Sequence, residues 1–168
     1  MLKVPTAMQF SIRAITDSDR QWVRTFIQGQ WCADYVVAHG ITYYPHTLRG
    51  FVAENRRGEP VGLATYVIEN SECELVTLNS VREGEGIGSA LVRATVEEGI
   101  RSQCSRLWCV TTNDNMPALT FYQKRGFHIV AVYPGAVERA RAIKPSIPLF
   151  GIESIPIRDE LELEMRLQ

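Results

Sequence analysis

A chain of 168 residues suits one compact domain, expected to span 1–168, and leaves no room for a second of ordinary size. Its 45% hydrophobic and 22% charged residues are the balance of a globular protein, which excludes a disordered tail or a collagen-like rod. With 18 basic against 19 acidic residues the formal charge is −1, without the basic excess that phosphate-dominated nucleic-acid binding requires.

Phe10 to Ile15 alternates apolar and polar residues and predicts a half-buried strand. Thr16, with Asp19 three residues on, predicts a capping box opening a helix through Trp22, Val23, Phe26 and Ile27. Trp31 to His46 is aromatic-rich and irregular, and its rings either pack a second short helix or line a pocket. Phe51–Glu54, Val61–Ile68 and Glu72–Asn79, separated by turn signals at Asn55–Gly58 and Glu69–Ser71, predict an antiparallel meander. A glycine-rich loop, Arg82 to Ser89, follows directly.

The next segment is helical: Gly88, Leu91, Val92, Thr95, Val96 and Gly99 share one face, with Glu97 and Arg101 in the favourable i, i+4 order on the other. Leu107–Val110 suits a strand buried on both faces. A short helix follows Thr112–Asn115 and ends at Gly126, then Phe127–Tyr133 forms a strand stopped by Pro134 and Gly135. Ala136 to Ala142 makes one or two helical turns, Pro145 and Pro148 force an extended loop, and strict alternation from Glu160 predicts a final strand with one wet face. The order describes an α/β mixed sheet with helices on its faces.

Cys32, Cys73, Cys104 and Cys109 match no CxxC pair, and three histidines give no zinc-binding spacing, so reduced cysteines, mostly buried, and no metal are expected. Met1 to Ala7 lacks the apolar core of a signal peptide, and no stretch reaches the roughly 20 apolar residues of a membrane helix. A cytoplasmic protein with no membrane partner is expected.

The glycine loop is the chemical signal. Between a strand and a helix, Gly86 and Gly88 let backbone approach closely, and the N–H groups of the first helical turn point at an anion. No Gly-Lys-Ser/Thr follows, so this is not a P-loop. Gly84-x-Gly86-x-Gly88 is not GxGxxG, and the strand before it belongs to a meander. A merely tight turn is the alternative.

Glu83-Gly84-Glu85-Gly86-Ile87-Gly88-Ser89-Ala90-Leu91, with Asn115-Met116-Pro117-Ala118-Leu119-Thr120-Phe121-Tyr122 running on to Gly126-Phe127, resembles the GNAT superfamily of N-acetyltransferases. The first segment is similar to its (Gln/Arg)-x-x-Gly-x-(Gly/Ala) acetyl-CoA loop, the second to its Asn-x-x-Ala-x-x-Phe-Tyr…Gly-Phe segment. The likeness runs from Phe10 to the last strand and is poorest between Trp31 and His46.

The resemblance implies a mostly antiparallel central sheet with helices on both faces, splayed between its fourth and fifth strands, with acetyl-CoA as cosubstrate in the gap. It implies that Glu83, Gly84, Glu85, Gly86, Ile87, Gly88 and Ser89 wrap the pyrophosphate. Leu78, Asn79 and Ser80 would hydrogen-bond the pantetheine arm, Asn115 would contact the cosubstrate, and Tyr122 would stand near its sulfur. Glu83 and Glu85 depart from the family pattern. A carboxylate 4 Å from a phosphate costs about 1 kcal/mol in water, so their side chains are expected to point outward, with Arg82 compensating.

Acetyl transfer to an amine needs a base, because an alkyl ammonium has a pKa of about 10.4. Glu72 and Glu74, two apart on one strand, face one side of the sheet, and the resemblance implies a glutamate of this strand as the base; a solvated strand face is the alternative. Tyr122, with a phenol pKa of about 10, is the candidate acid for the leaving thiolate. The amine belongs to a small molecule or a protein. Arg139, Arg141, Lys144 and Arg158 either bind an acceptor carboxylate or are solvated surface, and Trp31, Tyr35, Tyr43 and Tyr44 are candidates for an aromatic cradle. A CoA-binding regulatory module without chemistry and a nucleotide-binding or purely structural domain are the competing functions. The sequence does not give the oligomeric state; the resemblance implies only that an exposed final strand could pair into a homodimer.

Overall fold

The computed structural model describes residues 9–168, so the reading of Met1 to Ala7 lies outside it. Apart from short 3-10 turns, the described residues form nine strands and four α-helices. They are β1 (Phe10–Ala14), α1 (Arg20–Trp31), β2 (Val36–Ala38), β3 (Ile41–Tyr43), β4 (Arg49–Asn55), β5 (Pro60–Glu69), β6 (Glu72–Ser80), α2 (Ile87–Arg101), β7 (Arg106–Thr112), α3 (Met116–Gln123), β8 (His128–Tyr133), α4 (Ala136–Ile143) and β9 (Glu160–Arg166). Seven strands form one sheet in the order β1-β4-β5-β6-β7-β9-β8, and β2 and β3 form a separate hairpin. Every pairing is antiparallel except β6 with β7.

Strand alternation divides the core. Val52 and Leu63, paired across β4 and β5, face α1 and pack with Val23, Ile27 and Val36. Ala53, Ala64, Tyr66, Cys73 and Leu75 pack with Ile87, Leu91 and Val92 of α2. Each large apolar side chain so buried contributes about 1.5–3 kcal/mol. Gly62 sets the seat of α2: a Cβ there would lie 2.5 Å from Ile87 Cγ2 and 3.1 Å from Leu91 Cδ1. At the start of α1 the Asp19 carboxylate accepts the Thr16 N–H at 2.7 Å and binds Arg13, which also reaches Glu54. The expected capping box is present, and it opens a 3-10 turn leading into the helix.

Four expectations are corrected. Trp31 to His46 holds no second α-helix, only the start of a 3-10 turn at Pro45–Thr47: Trp31 ends α1, and β2 and β3 turn at His39 and Gly40, both at positive φ. Arg101 pairs with Glu98 at 3.2 Å instead of with Glu97, because Glu98 is buried and also binds Arg49. β7 buries Leu107 and Cys109 on one face only, while Trp108 and Val110 stay partly exposed. Finally, β9 is internal. Its Glu160 and Glu162 are buried instead of wet, Glu162 taking hydrogen bonds from Arg106 and Tyr133, and the strand at that edge of the sheet is β8. Cys73, Cys104 and Cys109 are buried free thiols, whereas Cys32 is exposed.

Candidate active site

β6 and β7 run parallel but pair only at Cys73–Leu107 and Glu74–Trp108. Beyond that point they part. β6 is bulged there, since Thr65 faces Thr77 while Tyr66 faces Leu75, making Val76 the extra residue. Its other edge stays paired with β5 as far as Ser80. The edge turned towards β7, along Leu78, Asn79 and Ser80, therefore carries backbone groups with no strand opposite them. The Asn79 Oδ1 is buried and has no partner among the described residues.

The gap leads to the glycine loop. Gly84 (φ 76°) and Gly86 (φ 81°) are left-handed, a conformation that costs other residues about 1–2 kcal/mol. Gly86 caps α2, so the N–H groups of Ile87, Gly88 and Ser89 have no acceptor within the helix. A Cβ on Gly88 would lie 3.2 Å from the Phe121 ring, so glycine here lets the first turn of α2 lie against the last turn of α3. Glu83 and Glu85 are exposed, and Arg82 pairs with Glu85 at 3.7 Å. Arg125 lies over Phe121 and donates to Ser89 Oγ at 2.6 Å, bringing to the first turn of α2 a cation that the sequence did not single out.

Glu72 and Glu74 share a face but not an environment. Arg106 Nη2 holds Glu72 at 2.8 Å, and the same guanidinium binds Glu162 and Glu164. Glu74 is buried and accepts from Tyr43 Oη at 2.7 Å, with His39 Nε2 also at 2.7 Å. The Glu74 hydrogen bond raises the His39 pKa above its ordinary 6.5, and burial, followed by Glu74, raises that of Tyr43. The left-handed backbone of His39 (φ 39°) also brings its N–H to Glu160 Oε2 at 3.1 Å. A two-residue turn needing positive φ at both positions is the signal that would have located this hairpin.

Tyr122 is buried between Phe121 and Phe127, beside the Cys109 thiol. Cys109 follows Trp108, the last β7 residue paired with β6, so the phenol lies where the strands part. Burial holds Tyr122 well above the ordinary value of 10 and pushes Cys109 up to about 12. Asn115 caps α3, its Oδ1 accepting from the Ala118 N–H at 3.2 Å.

On the α1 side the gap opens into a cavity of about 450 Å³, lined by Val76, Val110–Thr112, Asn115, Glu160, the end of α1, β2, α4 and Ser146–Pro148. The four cations near its C-terminal wall separate. Arg141 binds the carbonyls of Ile147, Pro148 and Ile157, and Arg158 pairs with Asp159. Arg139 Nη1 lies near Gly135, outside the cavity lining, whereas Lys144 is buried and lines it. The aromatics also separate: Trp31 lines the cavity, Tyr43 serves Glu74, and Tyr35 packs on Tyr44 at 5.9 Å. Burial raises the pKa of Glu160, a cavity carboxylate that the sequence did not single out.

Residues 18–127 match the model of the acetyltransferase (GNAT) family. The chain belongs to the GNAT family. Two proteins of Bacillus subtilis (strain 168) are similar to it. The uncharacterized protein YdhI is 46% identical over 114 residues, covering 68% of this chain and 71% of YdhI. The uncharacterized protein YxbD is 41% identical over 146 residues, covering 87% and 92%. A GNAT family acetyltransferase from Elizabethkingia anophelis, solved with acetyl-CoA bound, superimposes with a TM-score of 0.66 at 17% identity, over 95% of this chain and 99% of that one. The GNAT fold expected from the two motif segments is thus found, the splay falling between β6 and β7, the fourth and fifth strands of the large sheet in chain order.

Proposed function

We propose that this acetyltransferase moves the acetyl group of acetyl-CoA to the primary amine of a small molecule, by direct attack within a ternary complex. The observation that carries this is the parting of β6 and β7, which joins an anion-binding loop at one end to a cavity with buried carboxylates at the other. The residues fit acetyl-CoA. The N–H groups at Ile87, Gly88 and Ser89 suit a pyrophosphate, with Arg125 beside them. Glu83 and Glu85 leave this site to the backbone, and Arg82 offsets Glu85. The unpaired edge of β6 suits the amides of an extended pantetheine arm, and the orphaned Asn79 Oδ1 offers one more acceptor. The bound acetyl-CoA of the Elizabethkingia anophelis relative supports the same cosubstrate.

The amine nitrogen attacks the thioester carbonyl, forming the C–N bond, and a backbone N–H near Leu78 steadies the oxyanion. Glu74 is the favoured base, aimed by His39 and Tyr43, since Arg106 neutralises Glu72. When the C–S bond breaks, Tyr122 supplies the proton to the thiolate, its raised pKa keeping the phenol loaded. The cavity, walled by α1, α4 and the proline-rich loop, favours a small amine over a protein side chain. Thiol release from acetyl-CoA across a panel of small primary amines tests the proposal. Amine-dependent release is expected. CoA binding without release on any amine would favour the regulatory-module alternative.

A further inference from the structure

Lys144 is 5% exposed, yet among the described residues no carboxylate is a partner of it. Its Nζ donates to the carbonyl oxygens of Trp31 at 2.8 Å and Tyr35 at 3.2 Å, and lies 5.4 Å from the centre of the Tyr35 ring. Those contacts use two of its three N–H bonds and leave the ammonium without an anion. Burying a cation costs several kcal/mol unless an anion answers it. Burial accordingly lowers the Lys144 pKa. A neutral donor would tie the two carbonyls equally well, so the strut alone does not account for a lysine.

The rest of the cavity states what is missing. Lys144 lines it on the wall formed by the end of α1 and α4. Glu160 lines it from β9, where it pairs with Thr112 at the parted end of β7. Asp114 is satisfied by Thr112 Oγ1 and the Ile152 N–H, and Arg141 is consumed by loop carbonyls. The remaining lining is mainly apolar: Val36, Val76, Val110, Val137, Ala140 and Ile157. The cavity thus presents a buried cation on one wall and a buried carboxylate on the other, in a volume of about 450 Å³.

We infer that the acetyl acceptor is an amino-acid-like molecule whose carboxylate binds Lys144 while its amine lies towards Glu160 and the gap between β6 and β7. One lysine balances one carboxylate; a phosphate dianion would require further cations that the cavity lacks among the described residues. The inference rests on the acetyltransferase proposal and names its substrate class.

The test sets free amino acids against their C-terminal carboxamides, which keep the amine and lose the charge. Thiol release and calorimetric binding in the presence of CoA are measured for wild type, Lys144→Met and Lys144→Gln, with melting temperatures to confirm folding. Glutamine retains an N–H donor for the carbonyls and removes the charge. Wild type is expected to favour at least one amino acid over its amide. Both variants are expected to lose about 10–100-fold in kcat/KM for the acid, the worth of one charge-assisted hydrogen bond, while the amide changes little. Equal use of acid and amide by wild type, or an undiminished preference in folded Lys144→Gln, would overturn the inference and leave the transferase proposal intact. Absence of acetyl-CoA binding and of transfer would instead defeat the transferase proposal; the calorimetric comparison of acid and amide then decides Lys144 alone, and equal or absent binding of both overturns it.

Discussion

Glu74 and Glu72 differ by two positions in sequence and by their whole environment in space. A strand period of two places both on one face, and that much the sequence discloses. It does not disclose that Arg106, on the parallel neighbour β7, takes Glu72, or that a hairpin thirty residues upstream brings His39 and Tyr43 to Glu74. Glu74→Gln is therefore expected to lower kcat about 10²–10⁴-fold with acetyl-CoA affinity unchanged, while Glu72→Gln leaves kcat near wild type. Equal losses from both would remove Glu74 from its role. Tyr122→Phe is expected to lower kcat over a similar range, about 10²–10⁴-fold, and unchanged turnover by folded variant would remove the acid.

The same pair makes a pH prediction. His39 titrates above its unfolded value of 6.5 because Glu74 stabilises its charged form. A raised pKa gives stability that is fully present below 6.5 and is lost as pH rises through the folded value. The melting-temperature difference between wild type and His39→Gln should be largest in acid and shrink as the solution becomes alkaline. A difference that stays constant through that range would contradict the ion pair.

Among the elements, those with a full period were the legible ones. The α2 face of Leu91, Val92, Thr95 and Gly99 is buried as its spacing predicts, and the meander β4-β5-β6 stands as its turn residues predict. β2 and β3 have three residues each, too few for alternation to declare itself, and aromatic residues such as Tyr43 and Tyr44 suit a helix face as well as a strand. The placement of β9 between β7 and β8 is a long-range choice with no local signal, which is why its glutamates looked wet. Close approach of elements is testable at Gly62. Gly62→Ala drives a methyl into Ile87 and should cost about 1–3 kcal/mol by denaturant unfolding; a neutral result would mean that α2 shifts freely on the sheet. Gly86→Ala should cost about 1–2 kcal/mol through its left-handed backbone and also weaken acetyl-CoA binding, whereas Gly62→Ala should affect binding less.

At the scale of the whole molecule, one register change organises the site. After two residue pairs β6 and β7 part, so that one sheet carries the glycine loop and α3 on one side of the opening and a cavity with Lys144 and Glu160 on the other. The places of the loop and of Asn115 at the starts of α2 and α3 were legible because their spacing in sequence is short; the cavity was not, because α1, β2, α4 and β9 each contribute a wall. The account turns on acetyl-CoA entering that opening at the glycine loop. Calorimetric titration of the purified protein with acetyl-CoA at low and moderate salt tests this most directly. Micromolar affinity that weakens as salt rises is expected. No binding to a folded protein would contradict it and leave the GNAT fold without its chemistry.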